Sequence, residues 1–124
     1  MQGSAIIIDD EPETAEMIAE MILLIGYKAI LSHGGTPAIT LIAKEKPDFV
    51  VLDMMMPELS GLDLLRHLRR DPRLKHIPVI VVSARSRPED IQEGLQAGAM
   101  AYLTKPVAFK ELKAAVQKNC GLAG

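Results

Sequence analysis

The chain has 124 residues, 48% of them apolar and 24% charged, which fits one globular domain that needs neither disulfides nor metal to fold. A net charge of −2 gives no electrostatic case for nucleic-acid binding by this domain alone, and no apolar run approaches the ~18 residues of a membrane span. The single cysteine, Cys120, cannot form an internal disulfide and suits a reducing, cytoplasmic compartment.

The opening MQGS is either native or a cloning remnant, and the closing CGLAG either a tail or a cut linker. Residues 1–124 read as a single domain. AIII (5–8) is the first strand signal, a continuous apolar run of the kind covered on both faces in a parallel sheet. From Glu13 to Ile25 a helix is predicted, with Met17, Ile18, Met21, Ile22 and Leu24 as its apolar stripe and Gly26 as its stop. YKAILS (27–32) mixes polar residues into a strand pattern and reads as an edge. Thr36-Pro37 opens a second helix through Ala43. FVVL (49–52) is a buried strand, and Ser60 is placed to cap the helix GLDLLRHLRR, which the Asp71-Pro72 pair ends. VIVV (79–82) is the next strand. Ser86 with Glu89 then has capping-box spacing for a helix ending at Gly98. AYLT (101–104) is a weaker strand, and Phe109, Leu112 and Val116 recur at helical spacing in a fifth helix.

The alternation predicts an α/β fold with a doubly wound, five-stranded parallel sheet. The order 2-1-3-4-5, common for five such strands, puts YKAILS at an edge. Ligands of open α/β sheets bind beyond the carboxyl ends of the strands, where the order reverses. There the first strand delivers Asp9, Asp10 and Glu11, the third Asp53, the fourth Ser83 and the fifth Lys105. At ~4 Å and an effective dielectric of ~20, each like-charged carboxylate pair costs roughly 4 kcal/mol, so the pKa values rise or a cation joins them. An all-oxygen set with few carboxylates favours Mg²⁺. A metal on one side of Asp53, and a hydroxyl and an ammonium on the other, make a cradle for a transferring phosphoryl group with Asp53 as the attacking carboxylate. Met54, Met55 and Met56 read as packing or loop residues, and His33, His67 and His76 have no metal-ligand spacing.

In this order and spacing, IIIDDEP, VVLDMMMPELSG, PVIVVSAR and AGAMAYLTKP resemble the receiver domain of bacterial two-component response regulators, across about residues 4 to 118. The resemblance implies the flavodoxin-like (βα)5 fold. It implies a phosphoacceptor signalling domain that assists its own phosphotransfer and dephosphorylation, rather than an enzyme with a separate substrate. Asp53 would accept a phosphoryl group from a histidine kinase or a histidine phosphotransfer protein. Asp10, Asp53 and the Met55 carbonyl would hold Mg²⁺, with Asp9 acting through water. Ser83 and Lys105 would bind phosphoryl oxygens, and the Lys105-Pro106 peptide would be cis. Tyr102 would be the switch residue of the face made by the fourth helix, fifth strand and fifth helix, where a downstream effector or second receiver would bind. Alternatives are a receiver cut from a hybrid kinase or multidomain regulator, and a docking module of the same fold that takes no phosphate. An FMN-binding protein of the same fold is disfavoured, because DDEPE would repel a phosphate.

Overall fold

The computed structural model describes residues 3–120, so the first half of MQGS and all but Cys120 of CGLAG lie outside the described residues. The elements follow the predicted order: β1 (Ser4–Ile8), α1 (Pro12–Ile25), β2 (Lys28–Ser32), α2 (Gly35–Glu45), β3 (Phe49–Leu52), α3 (Gly61–Arg70), β4 (Val79–Ser83), α4 (Pro88–Gln96), β5 (Ala101–Thr104) and α5 (Phe109–Asn119). The strands form one parallel sheet in the order β2-β1-β3-β4-β5. Ile6 pairs with Val50, Val51 with Ile80, and Val81 with Tyr102.

Alternate strand residues face opposite sides, and each side has its own core. Ile6, Ile8, Val50, Leu52, Val79 and Val81 pack with Ile42 of α2 and with Leu64, Leu65 and Leu68 of α3. Ala5, Ile7, Phe49, Val51, Ile80 and Val82 pack with Ile18 and Ile22 of α1 and with Leu112 and Val116 of α5. Each fully buried Ile, Leu or Val contributes ~1.5–3 kcal/mol, so the double cover makes the three central strands the rigid part of the molecule.

Local signals account for most boundaries. Gly26 closes α1 in the left-handed conformation at φ 118°, and Ser60 caps α3 by accepting the Asp63 N–H at 3.2 Å. The structure corrects the sequence reading at two places. The Ser86–Glu89 capping box does not form, because α4 starts at Pro88 with Arg87 at its uncapped N-cap. The fixed φ of proline suits a first helical position and sets the start one residue later than the Ser86 cap would. In α1 only Ala15, Ile18 and Ile22 are buried, whereas Met17 is 39% and Leu24 76% exposed. Helical geometry places Met17 and Leu24 roughly a third of a turn or more from the Ile18–Ile22 line, outside the sheet contact.

Candidate functional site

The ladder carries Asp9 and Asp53 to the carboxyl edge of the sheet. The Asp53 N–H donates to the Ile8 carbonyl at 2.9 Å, and the Asp9 N–H donates to Ser32 at 3.1 Å. Asp53 is therefore a buried continuation of β3, 4% exposed, and Asp9 a continuation of β1, 1% exposed. Each carboxylate also accepts a backbone N–H two residues on: Asp9 Oδ1 from Glu11 at 2.9 Å, and Asp53 Oδ1 from Met55 at 3.2 Å. These short turns fix the carboxylate planes. Gly61 at the start of α3 allows close approach, because a Cβ there would overlap the Asp53 carbonyl.

Asp9, Asp10 and Asp53 each bring one carboxylate oxygen within 4.8 Å of the others. Burial is the main cause that raises the Asp53 pKa, with the Asp9 charge adding to it; the Met55 N–H and Lys105 oppose the rise. Lys105 leaves the β5 end through a cis bond to Pro106, as the resemblance implied, and its N–H donates to the Ser83 carbonyl at 2.9 Å. Its ammonium lies 3.0 Å from Asp9 Oδ2, 3.0 Å from Glu11 Oε1 and 3.5 Å from Asp53 Oδ2. Burial works against the charged ammonium, but Glu11, Asp9 and Asp53 outweigh it and hold the Lys105 pKa above its ordinary value. Asp9 Oδ2 remains buried without a hydrogen bond despite this ion-pair contact. A buried carboxylate oxygen in that condition is a ready ligand for a cation or its water. The donor set fits a hard divalent metal.

Ser83 is fully buried at the end of β4, and its Oγ accepts the Arg85 N–H at 3.1 Å. The hydroxyl proton remains available for donation. Tyr102 on β5 donates its hydroxyl to the Arg85 carbonyl at 2.8 Å, which joins β5 to the loop after Ser83. Its half-buried ring lies against Gly94 of α4, where an added Cβ would come within 2.9 Å of it. Met55 is exposed beside the acceptor. The exposed Arg85 side chain points to Asp90 at 4.0 Å.

The structure thus brings Asp9, Asp10, Asp53, Ser83 and Lys105 to one edge and sets Tyr102 one loop away. Two participants were not singled out in the sequence. Glu11 appeared as an acidic neighbour, yet it is a direct partner of Lys105. Gly94 sits mid-helix, where glycine is unfavourable, and that anomaly is the signal that marks a close packing contact.

The family model for the response regulator receiver domain matches residues 5–117. The chain belongs to the response regulator receiver family. It is 38% identical over 115 residues to the phosphate regulon transcriptional regulatory protein PhoB of Pseudomonas aeruginosa, covering 92% of this chain and 50% of that protein. It is also 38% identical over 114 residues to response regulator MprA of Mycobacterium tuberculosis, covering 92% of this chain and 49% of that protein. The receiver thus spans about half the length of these curated relatives. Among solved structures it resembles a Francisella response regulator receiver domain, with a TM-score of 0.86 and 33% identity over 94% of this chain and 95% of that one. It also resembles the receiver domain of a signal transduction histidine kinase from Syntrophus aciditrophicus, with a TM-score of 0.85 and 32% identity over 94% and 88% of the two chains. The receiver is a phosphoacceptor signalling domain of two-component systems.

Proposed function

We propose that Asp53 is the phosphoacceptor. The observation that carries this reading is convergence on Asp53: β1 brings the carboxylates of Asp9 and Asp10 from one side and β4 brings Ser83 from the other, while Lys105 from the end of β5 reaches across to within 3.5 Å of Asp53 Oδ2 and 3.0 Å of Asp9 Oδ2. An Asp53 oxygen attacks phosphorus, the phosphorus–nitrogen bond of a phosphohistidine breaks, and its electron pair returns to the imidazole. Ser83 donates a hydrogen bond from its hydroxyl to one phosphoryl oxygen, and Lys105 pairs with another. Asp10, Asp53 and the Met55 carbonyl would hold Mg²⁺, with Asp9 acting through water, and the metal would offset the negative charge gathered on the reacting oxygens.

The donor is a histidine kinase or a histidine phosphotransfer protein in the cytoplasm, where kinase and receiver share Mg²⁺. Residues 1–124 act as one domain. The new charge on Asp53 draws Ser83 toward it, and the Arg85 loop takes the Tyr102 hydroxyl along. The output face carries Gln92, Gln96, Tyr102, Phe109 and Lys113, and binds an effector or a second receiver. Beryllofluoride should therefore shift NMR resonances there rather than near Tyr27 and Ala38.

Incubation with Mg²⁺ and acetyl phosphate should add one hydroxylamine-sensitive phosphoryl group. Asp53→Asn should abolish it, since an amide is a poor nucleophile. Undiminished labelling of that variant would overturn the assignment.

A further inference from the structure

Between residues 44 and 75 seven Lys and Arg residues stand against six Asp and Glu, so the local arrangement of charge matters more than its sum. A cleft of about 350 Å³ lies between the α2–β3 and α3–β4 connections, lined by residues 43–47 and 73–77. The cleft lies where β3 and β4 begin, at the opposite edge of the sheet from Asp53. Its floor is apolar, built from the buried Pro47, Leu74 and Ile77, and its rim carries Lys46, Arg73 and His76 with no carboxylate lining it. Among the described residues, neither Lys46 nor His76 has a carboxylate within ion-pair distance, while Arg73 reaches Asp71 at 3.6 Å.

Lys46 supplies an independent observation. It ends α2 in the left-handed conformation, at φ 48° and ψ 62°, where glycine or asparagine is favoured. It also precedes Pro47, and proline disfavours helical backbone in the residue before it. The helix end does not require this cation, because Lys44 in the last turn already complements its carbonyl dipole. A lysine held against its backbone preference at the rim of an apolar cleft calls for a functional reason.

We propose that this cleft binds a small amphipathic anion: an aromatic or aliphatic body with one carboxylate, phosphate or sulfonate. The body rests on Pro47, Leu74 and Ile77, and the anionic group pairs with Lys46 and Arg73, with His76 adding a hydrogen bond. The volume falls near the lower end of small-ligand pockets, roughly 300–1,000 Å³. The cleft gives the receiver a ligand input separate from the phosphoacceptor edge.

The test uses 8-anilinonaphthalene-1-sulfonate as the probe, titrated into isotopically labelled full chain and followed by amide NMR. Saturable shifts are expected at Ala43, Lys46, Leu74, His76 and Ile77. Neutral N-phenyl-1-naphthylamine, which lacks the sulfonate, and inorganic phosphate, which lacks the body, should each bind at least about tenfold more weakly. Lys46→Gly combined with Arg73→Ala should weaken the probe by a similar factor. Lys46→Gly alone should raise the urea midpoint, since glycine accepts that backbone freely. No saturable shift below about 5 mM, shifts centred instead on the apolar groove of Ile91 and Leu95, equal affinity in the double variant, or a lowered midpoint for Lys46→Gly would each overturn the proposal.

Discussion

Two places in the receiver bury charge, and they do so in opposite ways. At the α3–β4 corner, the half-buried guanidinium of Arg69 meets no carboxylate among the described residues but is surrounded by carbonyls. Its Nε and Nη2 donate to Gly98 at 3.1 and 2.9 Å, and its Nη1 donates to Lys75 at 3.1 Å and Ile77 at 2.9 Å. Burial alone lowers its pKa from the ordinary value. At the acceptor edge, Asp53 is pushed upward by burial and by Asp9, and Asp9 Oδ2 is buried with the Lys105 ammonium at 3.0 Å as its ion-pair partner and no further hydrogen bond among the described residues. A buried charge with most of its donors on fixed carbonyls stabilises a fold; carboxylates crowded around one ammonium leave room for a ligand. The first is structure and the second is chemistry.

The largest effect expected from this contrast is on Arg69. Truncation to alanine removes four charge-assisted bonds and leaves carbonyls of the α3–β4 and α4–β5 connections to find water. Arg69→Ala should lower stability by about 2–3 kcal/mol, yet the folded variant should still accept phosphate at Asp53. Urea denaturation and acetyl phosphate labelling check the two halves. Loss of labelling in a folded Arg69→Ala protein would break the separation of roles.

The lifetime of the acyl phosphate comes next. Hydrolysis needs a water in line with phosphorus, and neither flanking side chain can activate one. Met55 offers no useful hydrogen bond and partly shields the approach, and Arg85 is a cation without an acceptor. Losing a water-orienting contact of ~1.4–2.8 kcal/mol slows the step roughly ten- to a hundredfold. Self-dephosphorylation should therefore take minutes or longer, and Met55→Asn with Arg85→Glu should shorten it. Decay of the wild type within seconds, followed after donor removal in Mg²⁺ buffer, would contradict this.

A smaller effect is expected at Asp10. Asp10→Asn removes one charge from the ligand set and should weaken Mg²⁺ binding roughly tenfold, or about 1.4 kcal/mol. Lys105→Ala should spare the metal and impair phosphorylation. Calorimetric titration with equal Mg²⁺ affinity in wild type and Asp10→Asn would refute that division.

The acceptor edge was legible in the sequence because parallel topology is a strong constraint: once the strand order is set, whatever follows each strand reaches the same edge. Asp53 after FVVL and Ser83 after VIVV needed no further information. The Arg69 clamp was not legible, since its carbonyl partners lie 6 to 29 residues away in loops whose paths depend on packing. The Glu11–Lys105 pair spans 94 residues and rests on a side-chain rotamer. The start of α4 was misread because a serine at capping distance competes with a proline that dictates helix entry. Local hydrogen-bonding signals of that kind carry about 1 kcal/mol and yield to backbone constraints.

The central claim is that Asp53 is held at a cost that a bound cation offsets. Burial raises its pKa, so the folded protein binds that proton more tightly than the unfolded chain does. Ionisation then costs stability above the raised folded value, and the cost is relieved as pH falls through it toward the ordinary carboxylate range. The direct measurement is thermal unfolding of wild type and Asp53→Asn at neutral pH, without and with Mg²⁺. In Mg²⁺-free buffer the variant should melt a few degrees higher, equivalent to about 1 kcal/mol. Millimolar Mg²⁺ should raise the wild type more than the variant and close that gap. A variant less stable than wild type without metal, or a wild-type midpoint that Mg²⁺ does not move, would contradict the account.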